Sequence, residues 1–150
     1  KMYNLSGEYE VRLDEKSRLR LPTALSAQIG ESPLKLVVNR GFEKCLLLYP
    51  ESVWVEKTKE VNQLNQYVRK NREFARYFFR GATQLLTDAS GRILIPKLLQ
   101  EHAGINQDIV LLAYHQHVEI WSKEYYLKMV AEEPDNFGEL AEDVFGHKDV

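Results

Sequence analysis

The chain has 150 residues and a mass of 17.5 kDa, with 44% hydrophobic and 28% charged side chains, which fits one ordinary globular domain or two very small ones and excludes wholesale disorder. No apolar run approaches the roughly 18 residues of a membrane span, the opening Lys1-Met2-Tyr3-Asn4 has no signal-peptide core, and the lone Cys45 can form neither an internal disulfide nor a cysteine-based zinc cluster. The net charge of −2 hides an asymmetry, because residues 1–80 hold 15 Lys and Arg against 10 Asp and Glu while residues 81–150 hold 5 against 12. Most of that acidity lies in residues 131–150, a solvated end or a modulator of a basic face. A soluble protein of a reducing compartment, without a membrane partner, is the expectation.

The chain repeats itself. A shift of 74 residues pairs Gly7 with Gly81, Asp14 with Asp88, Arg18 with Arg92, Pro22 with Pro96, Leu25 with Leu99 and Gly30 with Gly104. A shift of 72 then pairs Tyr49 with Trp121 and Trp54 with Tyr126, as if the loop between had lost two residues. In chain order, Glu8–Leu13 and Ala82–Thr87 read as strands, each followed by a polar turn, Asp14-Glu15-Lys16-Ser17 or Asp88-Ala89-Ser90-Gly91. Arg18–Leu21 and Arg92–Ile95 alternate as half-buried strands and stop at proline. Pro22 and Pro96 suit the first turn of a helix, and Gly30 and Gly104 its end. Lys35–Asn39 with Cys45–Tyr49, and Ile109–Tyr114 with Val118–Trp121, read as hairpins. Each copy is therefore β-β-α-β-β. Between the copies, Glu51–Gln66 and Lys70–Arg80 read as helices, with Trp54, Val61, Leu64, Val68 and Phe78 as an apolar stripe. Ser122 reads as the N-cap of a helix running to about Glu133, after which Pro134, Asn136 and Gly138 predict a loosely ordered tail. One copy has too little core to stand alone, so the two should pack as one pseudo-twofold unit.

The doubled Asp-x-x-x-Arg is the sharpest chemical feature. The aspartate can cap backbone N–H groups of its turn while the arginine projects from the next strand. Its plain alternative is a turn stapled by an exposed ion pair, an alternative weakened by the retention of this spacing in both copies. A guanidinium on a rigid loop suits phosphate or the guanine edge in a major groove. Around the first loop Arg12, Lys16, Arg18 and Arg20 cluster, with Arg18 and Arg20 on one strand face. The second copy keeps Arg92, with Leu86 and Leu94 in place of two arginines, so the first copy is expected to be the better-equipped face.

Other constellations compete. His115-x-His117-x-Glu119 could place metal-capable side chains on one strand face, or be a solvated hairpin tip. Arg69, Arg72, Arg76 and Arg80 recur at helical spacing beside Phe74, Tyr77 and Phe78, either as a basic-aromatic nucleic-acid surface or as core and subunit interface. No nucleophile elbow or phosphate-cradling glycine loop is present, and no His/Asp pair accompanies Cys45, which is expected in a buried strand. No catalysis is expected.

The segments Gly7-Glu8-Tyr9, Asp14-x-x-x-Arg18 with Leu19-x-Leu21-Pro22, Arg40-Gly41-Phe42 and Cys45-Leu46-x-Leu48-Tyr49-Pro50 resemble the MraZ family. So do Arg80-Gly81-Ala82, Asp88-x-x-Gly91-Arg92-Ile93-x-Ile95-Pro96 and Glu119-Ile120-Trp121. The resemblance implies an α+β, β-rich fold of two AbrB-like swapped-hairpin halves, over 5–52 and 81–124, with connecting helices over 53–80 and a C-terminal helix and acidic tail over 125–150. It implies a cytoplasmic, nucleoid-associated, sequence-specific DNA-binding regulator of the division and cell-wall gene cluster. Its partners would be double-stranded promoter DNA and its own copies, in ring-shaped octamers or dodecamers, with no cofactor. The DNA-contact elements the resemblance implies are the loops Asp14–Arg18 and Asp88–Arg92; with the basic cluster of the first copy added, the expected DNA-binding residues are Arg12, Asp14, Lys16, Arg18, Arg20, Asp88 and Arg92, and no metal ligand is expected. Ser17 stands where the family has glycine, so the first turn should differ if that position needs positive φ. The alternative is a structural ring-forming or partner-binding module without specific DNA binding.

Overall fold

The alternating strands of the two copies are interlaced. The computed structural model describes residues 2–132 and 136–146. The first copy comprises β1 (Leu5–Arg12), β2 (Arg18–Arg20), α1 (Thr23–Ile29), β3 (Lys35–Arg40) and β4 (Leu46–Pro50). Helices α2 (Glu51–Asn62) and α3 (Arg69–Phe79) lead to the second copy: β5 (Thr83–Leu86), β6 (Arg92–Leu94), α4 (Lys97–Ala103), β7 (Asp108–His115) and β8 (His117–Ser122). Helices α5 (Lys123–Ala131) and α6 (Phe137–Phe145) follow.

Six strands form one antiparallel sheet in the order β1-β7-β8-β4-β3-β5, which reads the same from either end once the copies are exchanged. The hairpins β3–β4 and β7–β8 meet at the centre, where Leu46, Leu47 and Leu48 oppose Ile120, Glu119 and Val118. Each copy's opening strand pairs with the other copy's hairpin: β1 with β7, and β5 with β3. Registers also locate the lost residues. Val11 opposes Ile109 where Leu85 opposes Leu36, so one residue is missing before β7, and the second hairpin tip is one residue shorter than the first. The length difference is thus split between two loops.

Above the sheet, β2 and β6 form a two-stranded ribbon joining the copies directly. Leu19 and Ile93 face each other beneath it, fully buried. Leu25, Leu36, Leu46 and Leu48 of the first copy share one cluster with Ile95, Leu99, Ile109, Leu111 and Ile120 of the second. At about 1.5–3 kcal/mol per buried aliphatic side chain, that joint cluster supplies what one copy lacks.

Pro22 and Pro96 stand at the N-caps rather than inside the first turns. The Pro22 carbonyl accepts from Leu25 N and Ser26 N at 3.0 and 2.9 Å, and that of Pro96 from Leu99 N and Gln100 N at 3.1 and 3.0 Å. Gly104 ends α4 in the left-handed conformation. The predicted Ser122 cap is present, its hydroxyl accepting from Tyr125 N at 3.3 Å; the predicted end at Glu133 lies outside the described residues. In the connecting helices Trp54, Val61 and Phe78 of the apolar stripe are half-buried, while Leu64 and Val68 are exposed. One expectation is corrected. The tail, expected to be loosely ordered, contains α6: Asn136 Oδ1 accepts from Glu139 N at 3.2 Å, and Phe137, Leu140 and Val144 recur at helical spacing. Gly138, read as a breaker, falls in the first turn, where it interrupts nothing.

Candidate nucleic-acid interface

Both Asp-x-x-x-Arg loops close in the same way. Asp14 Oδ1 accepts from Lys16 N at 2.9 Å and Arg18 N at 2.8 Å, while Oδ2 accepts from Arg18 Nε at 2.9 Å. Asp88 Oδ1 accepts from Ser90 N and Arg92 N, both at 2.9 Å, and Oδ2 from Arg92 Nε at 3.0 Å. The carboxylate thus occupies the turn's N–H groups and holds the guanidinium by Nε. The Nη edge of each arginine carries no hydrogen bond among the described residues. That edge is a fork of parallel donors suited to a phosphate or to the O6/N7 edge of guanine. Asp14 is held below the usual carboxylate value chiefly by the Arg18 N–H, and Asp88 chiefly by the Arg92 N–H. Both loops therefore stay ionised and closed at neutral pH.

The first turn does not differ from the second. Ser17 adopts φ 63° and Gly91 φ 77°, so the serine takes the left-handed conformation that glycine adopts freely. Ser17 N and Gly91 N each donate to the carbonyl of the loop's aspartate at 3.0 Å. Three hydrogen bonds to one carboxylate outweigh the local preference.

The loops are also cross-strapped. Leu21 N donates to the Gly91 carbonyl at 3.0 Å and Ile95 N to the Ser17 carbonyl at 2.9 Å, so each loop holds the exit of the other copy's strand. Arg20 Nε donates to the Ser90 carbonyl at 3.0 Å. In the ribbon Arg18 opposes Leu94, and Arg20 opposes Arg92. With Leu19 and Ile93 turned inward, alternation sends Arg18, Arg20, Arg92 and Leu94 to the outer face. The first copy is therefore not a separate, better-equipped face. Arg92 stands directly across from Arg20, and the two copies make one composite surface. The sequence could not show this, because the pairing joins residues about seventy positions apart.

The remaining predicted residues divide. Lys16 is exposed on the first loop and its ammonium has no partner among the described residues. Arg12 lies at the end of β1, committed to its sheet neighbour: Nε is 3.2 Å from Asp108 and Nη2 donates to Gln107 at 2.9 Å. Gln107 and the Ser90 carbonyl are partners that sequence reasoning missed, since only the interlaced pairing brings them near.

The competing constellations are largely occupied by other contacts. Glu119 accepts from the Tyr114 hydroxyl and from Trp121 Nε1, both at 2.9 Å, and the His117 ring packs 4.8 Å from that of Tyr114. Among the described residues no His, Cys, Asp and Glu side chains group as a metal site. On α3, Arg69 pairs with Glu73 at 3.2 Å and Arg72 donates to the Gln66 carbonyl at 2.8 Å. Phe78 stacks on Trp54 with centroids 5.4 Å apart. Cys45 is buried in the turn just before β4, and burial pushes its thiol up to about 12, leaving no thiolate for nucleophilic chemistry.

Comparison with known proteins agrees with this architecture. A family model described as "MraZ protein, putative antitoxin-like" matches the chain twice, over residues 4–77 and 78–148. The chain is similar to the transcriptional regulator MraZ of Christiangramia forsetii, at 41% identity over 150 residues, covering 99% of this chain and 97% of the relative. It is 38% identical to that of Flavobacterium psychrophilum over 97% of this chain and 94% of the relative. It is 37% identical to that of Pediococcus pentosaceus over 92% and 94%. With two matched loops, an interlaced duplicated sheet and similarity along nearly its whole length, the chain belongs to the MraZ family.

Proposed function

We propose that this chain is a DNA-binding transcriptional regulator, without catalysis or cofactor, that reads promoter DNA through the outer face of the β2–β6 ribbon and its two flanking loops. The observation that carries the reading is the pair of guanidinium forks, Arg18 and Arg92, held by Nε with their Nη edges open on one surface. Arg20 and Lys16 add positive charge beside them. The relatives are named as transcriptional regulators. The family resemblance extends the proposal to the division and cell-wall gene cluster, to a cytoplasmic, nucleoid-associated location and to repeated promoter boxes. No helix among the described residues is long and apolar enough to cross a membrane.

Assembly into a ring of copies belongs to the same proposal. Val55, Tyr67, Val68, Phe74 and Tyr77 are all exposed on α2, α3 and the segment between them. Large apolar side chains gathered on one part of a surface are the mark of an interaction face. Repetition of the ribbon around a closed assembly would let neighbouring copies engage neighbouring boxes at high effective concentration.

The test is binding to a duplex from the region upstream of the protein's own coding sequence. Arg18→Ala and Arg92→Ala should each lose roughly 1–3 kcal/mol of discrimination against an unrelated duplex, with unchanged circular dichroism. Specific binding undiminished in both folded variants would overturn the assignment. Stable rings without DNA preference would favour a structural module.

A further inference from the structure

We propose that Leu94 is a specificity-determining residue, seated against the methyl group of a thymine, so that the two halves of one ribbon read different bases. The inference rests on the DNA-reading function above. Leu94 is 58% exposed between Ile93 and Ile95, each 1% exposed. It stands opposite Arg18 on the outer face, and its counterpart in the other copy is Arg20. Arg18, Arg20 and Arg92 share that outer face with a branched aliphatic side chain that has no core to join.

The charge of that face selects a polyanion. Within a nucleic-acid major groove the one apolar feature on a base edge is the thymine C5-methyl, whereas arginine matches the O6/N7 edge of guanine. Arg20 and Leu94 occupy equivalent places about the pseudo-twofold, so a palindromic sequence cannot satisfy both. The box read by one chain therefore has a direction, with guanine towards the Arg20 end and thymine towards the Leu94 end.

The experiment uses the full chain and the upstream duplex, with thymines replaced one at a time by deoxyuracil. The replacement keeps every hydrogen-bonding group and removes only the methyl. For the wild-type chain one position should weaken binding about fourfold, the effect of burying a single methyl group. Leu94→Ala should bind the thymine and deoxyuracil duplexes alike at that position, and Leu94→Arg should prefer guanine there. Equal binding of all the deoxyuracil duplexes by the wild-type chain, or a thymine preference surviving in Leu94→Ala, overturns the role of Leu94 while leaving the DNA-reading function intact. No preference of the wild-type chain for the upstream duplex over an unrelated one overturns both.

Discussion

Asp14 and Asp88 place negative charge on a surface proposed to face phosphate, and their hydrogen bonds explain why. Each carboxylate orients a guanidinium and closes a turn. Asp14→Ala should weaken DNA binding by roughly tenfold, as for a lost bidentate contact, although bulk electrostatics alone would make binding tighter. An affinity equal to or above wild type, measured at matched salt, would count against the orienting role. Because both carboxyl groups are held below their ordinary value in the folded chain, the stability they contribute is present above the unfolded-state pKa of about 3.9. It is lost as pH falls through the lower folded-state values. Equilibrium unfolding between about pH 2 and 5 should therefore show a shallower acid loss in an Asp14→Asn, Asp88→Asn double variant. The glycine position offers a matched pair. Ser17→Gly should stabilise the fold by about 1 kcal/mol by relieving the left-handed strain. Gly91→Ala should cost about as much, since an added Cβ meets nothing within 4 Å and only the φ of 77° opposes it. Denaturant midpoints of the two variants measure both.

A two-stranded ribbon of three residues per strand is not stable by itself, and Arg20 and Arg92 are like charges directly opposite each other. The ribbon persists because Leu19 and Ile93 anchor it to the shared core and the loops strap its ends. Leu19→Ala should cost about 2–5 kcal/mol and abolish DNA binding, both readable by thermal unfolding and a binding titration. Such elements were legible in the sequence where the cause is local: the alternation around Leu19 and Ile93, the prolines before α1 and α4, the Ser122 cap. The Asp-x-x-x-Arg loops were legible because duplication repeats their spacing. What was not legible is non-local. The alternation of β1 fits pairing with its own hairpin as well as with β7, and nothing in the spacing of Arg20 reveals Arg92 across from it. The helix α6 was missed because Gly138 and the acidic side chains suggested a solvated tail, although Asn136 and Glu139 carry the signature of a helix start.

Across the whole molecule, affinity should depend on charge and on repetition. Each phosphate neutralised contributes a slope of about −0.9 to log K against log salt. An assembly engaging several boxes should therefore show a steep slope that falls by about one for each contact removed, as by Lys16→Ala. Equal affinity for one box and for several, or a monomer by light scattering, would sink the ring proposal. The pseudo-twofold unit would then be the reader by itself. The interlaced sheet has a further consequence, one of timing. While the chain is being made, β1 emerges about a hundred residues ahead of β7, its partner, and loop closure over such a span is slow. The first hairpin can form early, but the edge strand beside the second hairpin must stay unpaired until that hairpin exists. β1 is synthesised well before its partner yet must wait for it to be seated, and until then its exposed edge needs protection from other chains.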